Sequence, residues 1–327
     1  MMFLSLLACI RTPSDLPDAY PLPARLGEYD AWLADAEGRF NDIVPGAERS
    51  IRWNDPENPE KTAVSLVYFH GFSATRQEIA PVCENLGASL GANTYFARLS
   101  GHGRSDDAMA EAQLRDWLVE AEEALAIGRA LGDEVIIIGT STGATLGAWL
   151  ASRHEEIAAS VFLSPNFGPQ AAGSRMLLMP GRGILTRLLV GEYREWEPGN
   201  AQQGKYWTTR YPTTALFPMM ELVRLVEKID LSGNRQPTLV IYSPNDQVIR
   251  PDLVEERMEE MGGQPVESVQ ILHGGMDSDH VLAGDIASPD NTDQVIETIG
   301  DFLVKHTPAE RVRDSALDET EPVPTAP

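Results

Sequence analysis

Glu134-Val135-Ile136-Ile137-Ile138-Gly139-Thr140-Ser141-Thr142-Gly143 is the stretch on which the fold turns. Its four consecutive β-branched residues read as a strand buried on both faces, the habit of a parallel sheet covered by helices. The run passes directly into Gly-x-Ser-x-Gly and then into 142–151, a helical stretch whose Ala144, Gly147 and Ala148 present a small face. Strand, tight turn and helix in that order suit a nucleophile elbow, where a serine sits on a strained turn with its hydroxyl exposed. The flanking positions must then lack side chains, so that strand and helix can approach. Gly139 and Gly143 meet this demand, and Ser141 is the candidate nucleophile.

Outward from the elbow, short apolar runs alternate with longer amphipathic ones. Residues 63–69, 93–99, 158–163, 238–242 and 268–272 read as strands, and 77–90, 114–131 and 293–304 as helices. This spacing argues for α/β architecture: a mostly parallel central sheet with helices on both faces. Between Ser164 and Thr238 about 70 residues lack β alternation, too many for a structureless loop in a compact domain. They are rich in Met, Leu, Trp and Tyr, and residues 168–232 are expected to form a helical cap between two parts of a core, 25–167 and 233–307. Most of the cap's apolar side chains would extend the core, and a few would face a cavity.

The 327-residue chain carries 26 basic against 49 acidic residues, a formal net charge of −23. Such a field repels phosphate backbones, so nucleic acid is not an expected partner. Its two cysteines exclude a disulfide framework and a four-cysteine zinc site. Cys83 reads as a buried small hydrophobe. Residues 1–24 look like a leader and tether. The apolar run 1–10 is too short to span a bilayer, yet Leu6-Leu7-Ala8-Cys9 resembles a lipobox whose cysteine becomes lipidated. Two readings stay open: a lipoprotein of the bacterial cell envelope, associated with a membrane surface through Cys9, or a cytoplasmic protein with an ordinary apolar N-terminus. Residues 308–327, rich in Pro, Glu, Asp and Ala, read as a disordered tail.

A serine hydroxyl is a poor nucleophile until a base takes its proton and an acid orients that base. Of six histidines, His70 and His102 stand in His-Gly turns and read as structural, and His154 closes the helix after the elbow. His273 ends a strand and His306 lies in the last helix. His280 sits in the loop after the last strand, where the order Ser…Asp…His wants the base. The acid should follow an intervening strand, and Asp246 does so in Tyr242-Ser243-Pro244-Asn245-Asp246. Asp277 is the rival acid. A metal cluster of Asp277, Asp279 and His280 lacks a fourth ligand of known spacing. The oxyanion needs donors: the backbone N–H of Thr142, just after the nucleophile, and that of Phe72, after the strand ending Tyr68-Phe69-His70-Gly71.

His70-Gly71-Phe72-Ser73-Ala74, then Gly101-His102-Gly103-Arg104-Ser105, then the Gly-Thr-Ser-Thr-Gly elbow resemble the α/β-hydrolase superfamily, within it the monoacylglycerol lipase, lysophospholipase and bacterial carboxylesterase group. The resemblance runs from about Ile51 to Val304. It implies the α/β-hydrolase fold, a cap inserted after the sixth strand, and the Ser141, Asp246 and His280 roles already read from their contexts. Some relatives place the acid after the sixth strand, where this chain has Ser164-Pro165-Asn166 and no carboxylate. Thr142 stands where many relatives carry Met, Gln or Gly.

The expected activity is cleavage of carboxylic esters with an apolar group, through an acyl-enzyme on Ser141 and with neither cofactor nor metal. A thioesterase, amidase, lysophospholipase or acyltransferase on the same three residues is the alternative. From a different class, a non-catalytic binding protein on the same scaffold remains open. The Gly-His-Gly segment offers no third glycine and opens no helix, which sets aside a dinucleotide-binding oxidoreductase. Oligomeric state has no signature in the sequence.

Overall fold

The computed structural model describes residues 16–17, 19–263, 265–276 and 278–312. The lipobox-like segment at Leu6–Cys9, the rival acid Asp277 and the expected tail from residue 313 onward lie outside them. Helix α1 (Tyr29–Glu37) leads into β1 (Ser50–Arg52), β2 (Thr62–Phe69), α2 (Val82–Leu90), β3 (Asn93–Phe96) and α3 (Leu114–Leu131). Then come β4 (Gly132–Thr140), α4 (Thr142–Ala151) and β5 (Ile157–Leu163). An excursion follows, with α5 (Arg182–Leu189), β6 (Tyr193–Glu195), α6 (Ala201–Tyr206), β7 (Arg210–Pro212) and α7 (Leu216–Glu227). The chain returns through β8 (Thr238–Tyr242), α8 (Pro251–Glu260), β9 (Val266–Gln270) and α9 (Pro289–His306).

Seven strands form one sheet in the order β1-β3-β2-β4-β5-β8-β9. Only β1 runs antiparallel to its neighbour. This is the α/β-hydrolase fold. Successive residues of β4 face opposite layers, because strand side chains alternate. Val135 and Ile137 enter one apolar cluster with Trp117, Leu125, Ala148 and Met220. Ile136 and Ile138 enter another with Val82, Leu86, Ile299 and Phe302. Helices α3, α4 and α7 thus cover one face, and α2 and α9 the other. No helix among the described residues is long and apolar enough to cross a membrane.

Several sequence boundaries move. The helix expected over 77–90 is broken: residues 76–78 make a 3-10 turn, and α2 starts only at Val82, after Pro81. A proline disfavours helical backbone at the residue before it. Ile79, Val82, Leu86 and Leu90 are nonetheless all buried, as their spacing implied. The excursion between β5 and β8 is not purely helical, since β6 and β7 pair as an antiparallel ribbon. Among the described residues it follows β5, the fifth strand; the sixth-strand position was the family's count. Met219, Met220, Val223 and Val226 of α7 are buried against α3 and α4, so this part of the excursion extends the core. The first residues of the tail expected from Pro308 are packed on the fold: Ala309 is buried, and the Val312 N–H donates to the Ser89 carbonyl.

Candidate active site

The elbow forms because nothing but glycine fits around it. A Cβ added at Gly143 would lie 2.1 Å from the Phe69 carbonyl oxygen, and one at Gly139 would lie 2.6 Å from that of Gly143. Ser141 takes φ 52° and ψ −116°, a conformation that costs about 1–3 kcal/mol and persists only where surroundings enforce it. The enforcement is visible. Its N–H donates to Leu163 at 2.8 Å, and its carbonyl accepts from Thr145 at 3.1 Å and Asn166 at 3.2 Å. These bonds hold the turn against β5, and the side chain points away from it.

The hydroxyl that results lies 2.9 Å from His280 Nε2. On the other edge of the ring, Nδ1 lies 2.7 Å from Asp246 Oδ2. Asp246 follows β8, and its side chain is fully buried. Its second oxygen, Oδ1, accepts the N–H groups of Val248 at 2.8 Å and Ile249 at 2.9 Å. With Oδ1 occupied by the backbone, Oδ2 is left for the imidazole, which donates from Nδ1. That leaves the Nε2 lone pair facing the serine hydroxyl. The three residues nominated from sequence therefore stand in series and in hydrogen-bonding order, an arrangement able to withdraw the Ser141 proton.

His70, His102, His154 and His306 have other partners. His70 accepts the Leu99 N–H on Nε2 and donates from Nδ1 to the Gly71 carbonyl, and its ring centre is 5.0 Å from that of His102. Burial pushes His70 down to about 4 and His102 well below the ordinary range, so both are neutral near pH 7. His154 pairs with Glu122 and His306 with Glu267, both away from Ser141. Asp279 turns its carboxylate to the Gly274 N–H at 2.7 Å and so does not pair with His280.

The candidate oxyanion donors belong to the elbow and to the turn after β2, whose Gly71 packs against Ser141. Thr142 is the first residue of α4, where N–H groups lack intrahelical partners. Phe72 occupies the turn after β2, and its ring packs edge-on against Tyr211 at 5.4 Å and His102 at 5.6 Å. Tyr211 comes from β7, and the neighbouring Thr208 N–H donates to the Ser73 carbonyl at 2.7 Å. The excursion thus rests directly on the turn that carries Phe72.

Two side chains near the site escaped the sequence reading. Ser164 donates from Oγ to the His280 carbonyl at 2.7 Å. Glu78, 2% exposed, accepts hydrogen bonds from the Gly71 N–H and the Tyr68 hydroxyl. A charged residue immediately before the apolar Ile79 was the available signal, concealed by reading 77–90 as one helix.

Comparison with known proteins follows the same lines. A model of the alpha/beta hydrolase family matches residues 66–293. A thermostable monoacylglycerol lipase from Bacillus sp. (strain H-257) is 26% identical over 266 residues, which is 81% of this chain and 97% of the relative. A solved structure of the metagenome-derived lipolytic enzymes LipS and LipT superposes with a TM-score of 0.66 at 20% identity, covering 81% of this chain and 100% of the other. The monoacylglycerol lipase of Paleococcus ferrophilus gives 0.59 at 15% identity, over 79% and 98%. At such identities the two structures speak for the fold.

Proposed function

The chain belongs to the alpha/beta hydrolase family, and from that premise we propose that it is a serine esterase of the lipase type, cleaving carboxylic esters through an acyl-enzyme on Ser141. The observation that carries this reading is the series Ser141–His280–Asp246, at 2.9 and 2.7 Å, on a serine held at positive φ.

In the first half of the reaction, His280 Nε2 takes the Ser141 proton as Oγ bonds to the ester carbonyl carbon. The carbonyl oxygen becomes an oxyanion, received by the N–H groups of Phe72 and Thr142. Collapse of this intermediate breaks the bond to the alkoxy oxygen, which leaves as the alcohol with the proton from Nε2. In the second half, water gives a proton to Nε2, attacks the acyl carbonyl and releases the acid, returning the proton to Ser141. Asp246 holds the imidazole in the tautomer that donates from Nδ1 and stabilises the imidazolium that forms.

An apolar group on the ester is supported from two sides. The excursion over the site places Tyr211 and Phe72 together, and Leu177, Leu178 and Trp196 lie half-buried beside the core. The Bacillus relative is named a monoacylglycerol lipase. Hydrolysis of p-nitrophenyl esters of rising acyl length, by wild type and Ser141→Ala, tests the proposal. Turnover by wild type with a loss of about 10⁴-fold or more in the variant is expected. Folded wild type that hydrolyses none of them, or a variant as active as wild type, would sink it.

A further inference from the structure

We infer that Glu78 is a positioning residue for the ester cleavage proposed above, its buried carboxyl fixing the Gly71–Phe72 peptide so that the Phe72 N–H faces the oxygen that turns negative. The inference rests on that reading and concerns a residue without direct contact to the reacting atoms.

The geometry around Glu78 is that of a clamp. Oε1 accepts the Gly71 N–H, one peptide before the donor in question, and also the Tyr68 hydroxyl at 2.7 Å. Tyr68 Oη lies 3.0 Å from Thr140 Oγ1, and Thr140 is the residue before Ser141. The polar chain Gly71–Glu78–Tyr68–Thr140 therefore ties the turn after β2 to the elbow after β4, underneath the site. Gly71 gauges how close the parts are. A Cβ built on it would lie 2.9 Å from Glu78 Oε2 and 3.3 Å from Ser141 Cβ, so the Gly71 backbone is held between the carboxyl and the nucleophile's residue.

A carboxyl in this place is costly, because burial disfavours its ionised form. An apolar side chain would avoid that cost but would leave the Gly71 N–H without the acceptor that Glu78 supplies, and would leave Thr140 Oγ1 as the hydrogen-bond partner of the Tyr68 hydroxyl. The protonation state also matters. Burial pushes Glu78 up to about 8, so it is neutral at pH 7. The titratable groups facing it are Tyr68 on β2 and Cys83 on α2, both pushed well up by burial and hence uncharged. Beyond Cys83 stands the Arg76–Glu84 pair at 3.0 Å. A neutral acid can hold the Gly71 N–H without opposing a negative oxygen beside Ser141. An ionised one would set a second negative charge next to it.

The test compares Glu78→Ala and Glu78→Gln with wild type on p-nitrophenyl butyrate from pH 6 to 9.5, with thermal melts and fluorophosphonate labelling to count competent Ser141. Glu78→Ala should lose about 10- to 100-fold in kcat with KM changed by less than about threefold, as a displaced oxyanion donor does. Glu78→Gln, whose amide oxygen still accepts the Gly71 N–H, should recover kcat to within about threefold at pH 7. Wild type is expected to lose activity above about pH 8, and Glu78→Gln should lack that fall. A folded Glu78→Ala with unchanged kcat, a change in KM alone, or a Glu78→Gln that keeps the wild-type alkaline fall would overturn the inference. If Glu78→Ala does not fold, the pH profile of Glu78→Gln decides alone. Ester hydrolysis that survives Ser141→Ala would overturn the underlying reading as well.

Discussion

The Ser164 hydroxyl donates to the main-chain carbonyl of His280 across 2.7 Å, tying the end of β5 to the loop that carries the base. Ser164 is fully buried and held at φ 43°, so its side chain has little freedom to do anything else. Ser164→Ala would leave that carbonyl unpaired at a cost of about 1–3 kcal/mol in stability. Because the lost bond positions the His280 backbone, kcat should fall by about 3- to 10-fold with KM nearly constant. Thermal melts and steady-state kinetics would check both; a lower Tm with unchanged kcat would confine the bond to stability.

Asp246→Asn should be far more damaging than its size suggests. The amide oxygen can keep the Val248 and Ile249 N–H groups now held by Oδ1, so the fold should survive. The amide nitrogen then faces His280 Nδ1 and, as a donor, requires a lone pair there. The proton moves to Nε2, which can no longer accept from Ser141. A loss of roughly 10⁴-fold in kcat is expected, by analogy with the same change in other serine hydrolases. A variant melting within a few degrees of wild type but retaining a tenth of its activity would refute the argument.

Tyr211 joins the excursion to the turn bearing Phe72, ring against ring at 5.4 Å, and is 4% exposed. Tyr211→Ala should cost about 3–5 kcal/mol through the cavity it leaves. Tyr211→Leu, which retains apolar volume, should melt close to wild type but alter the preference among p-nitrophenyl acyl lengths. If the acyl-length profile of this second variant matches wild type, Tyr211 does not shape the substrate's site.

What could be read before the structure was local. β4 and the elbow were legible because β-branched run, glycines and serine lie within ten consecutive positions. Helix α3 matches its expected 114–131, since its buried face is continuous and Gln113 and Asp116 close a capping box at its start. Asp246 and His280 were legible as loop residues after strands. The ribbon of β6 and β7 was not, because a three-residue strand carries no alternation. Glu78 was concealed by reading 77–90 as one helix, and Ser164 was not legible for a different reason: it acts on a backbone group distant in sequence, and backbone acceptors have no residue type to reveal them. Phe72 and Thr142 could be nominated only because the elbow's geometry says where an oxyanion must sit.

Glu78 also leaves a mark on stability, and its sign can be worked out. Its ordinary value is 4.5, and in the folded chain burial raises it to about 8. Folded protein therefore holds a proton that unfolded protein releases. The group's contribution is fully present below 4.5, is lost as pH climbs from there to about 8, and is constant above. Within that window stability falls by about 1.4 kcal/mol per pH unit for one proton. Glu120, raised by burial to about 7, adds the same sign up to that pH. His70, lowered from 6.5 to about 4, acts oppositely, but only as pH falls below 6.5. Between pH 7 and 8 His70 is silent, and Glu120, still titrating there, is common to wild type and Glu78→Gln and so cancels in their difference. Chemical denaturation at pH 7.0, 7.5 and 8.0 should show wild type losing about 1 kcal/mol over that unit relative to Glu78→Gln, the slope flattening toward pH 8 as Glu78 itself ionises. Equal slopes in the two proteins would mean that Glu78 is already ionised in the folded state, and the alkaline fall in activity would need another source.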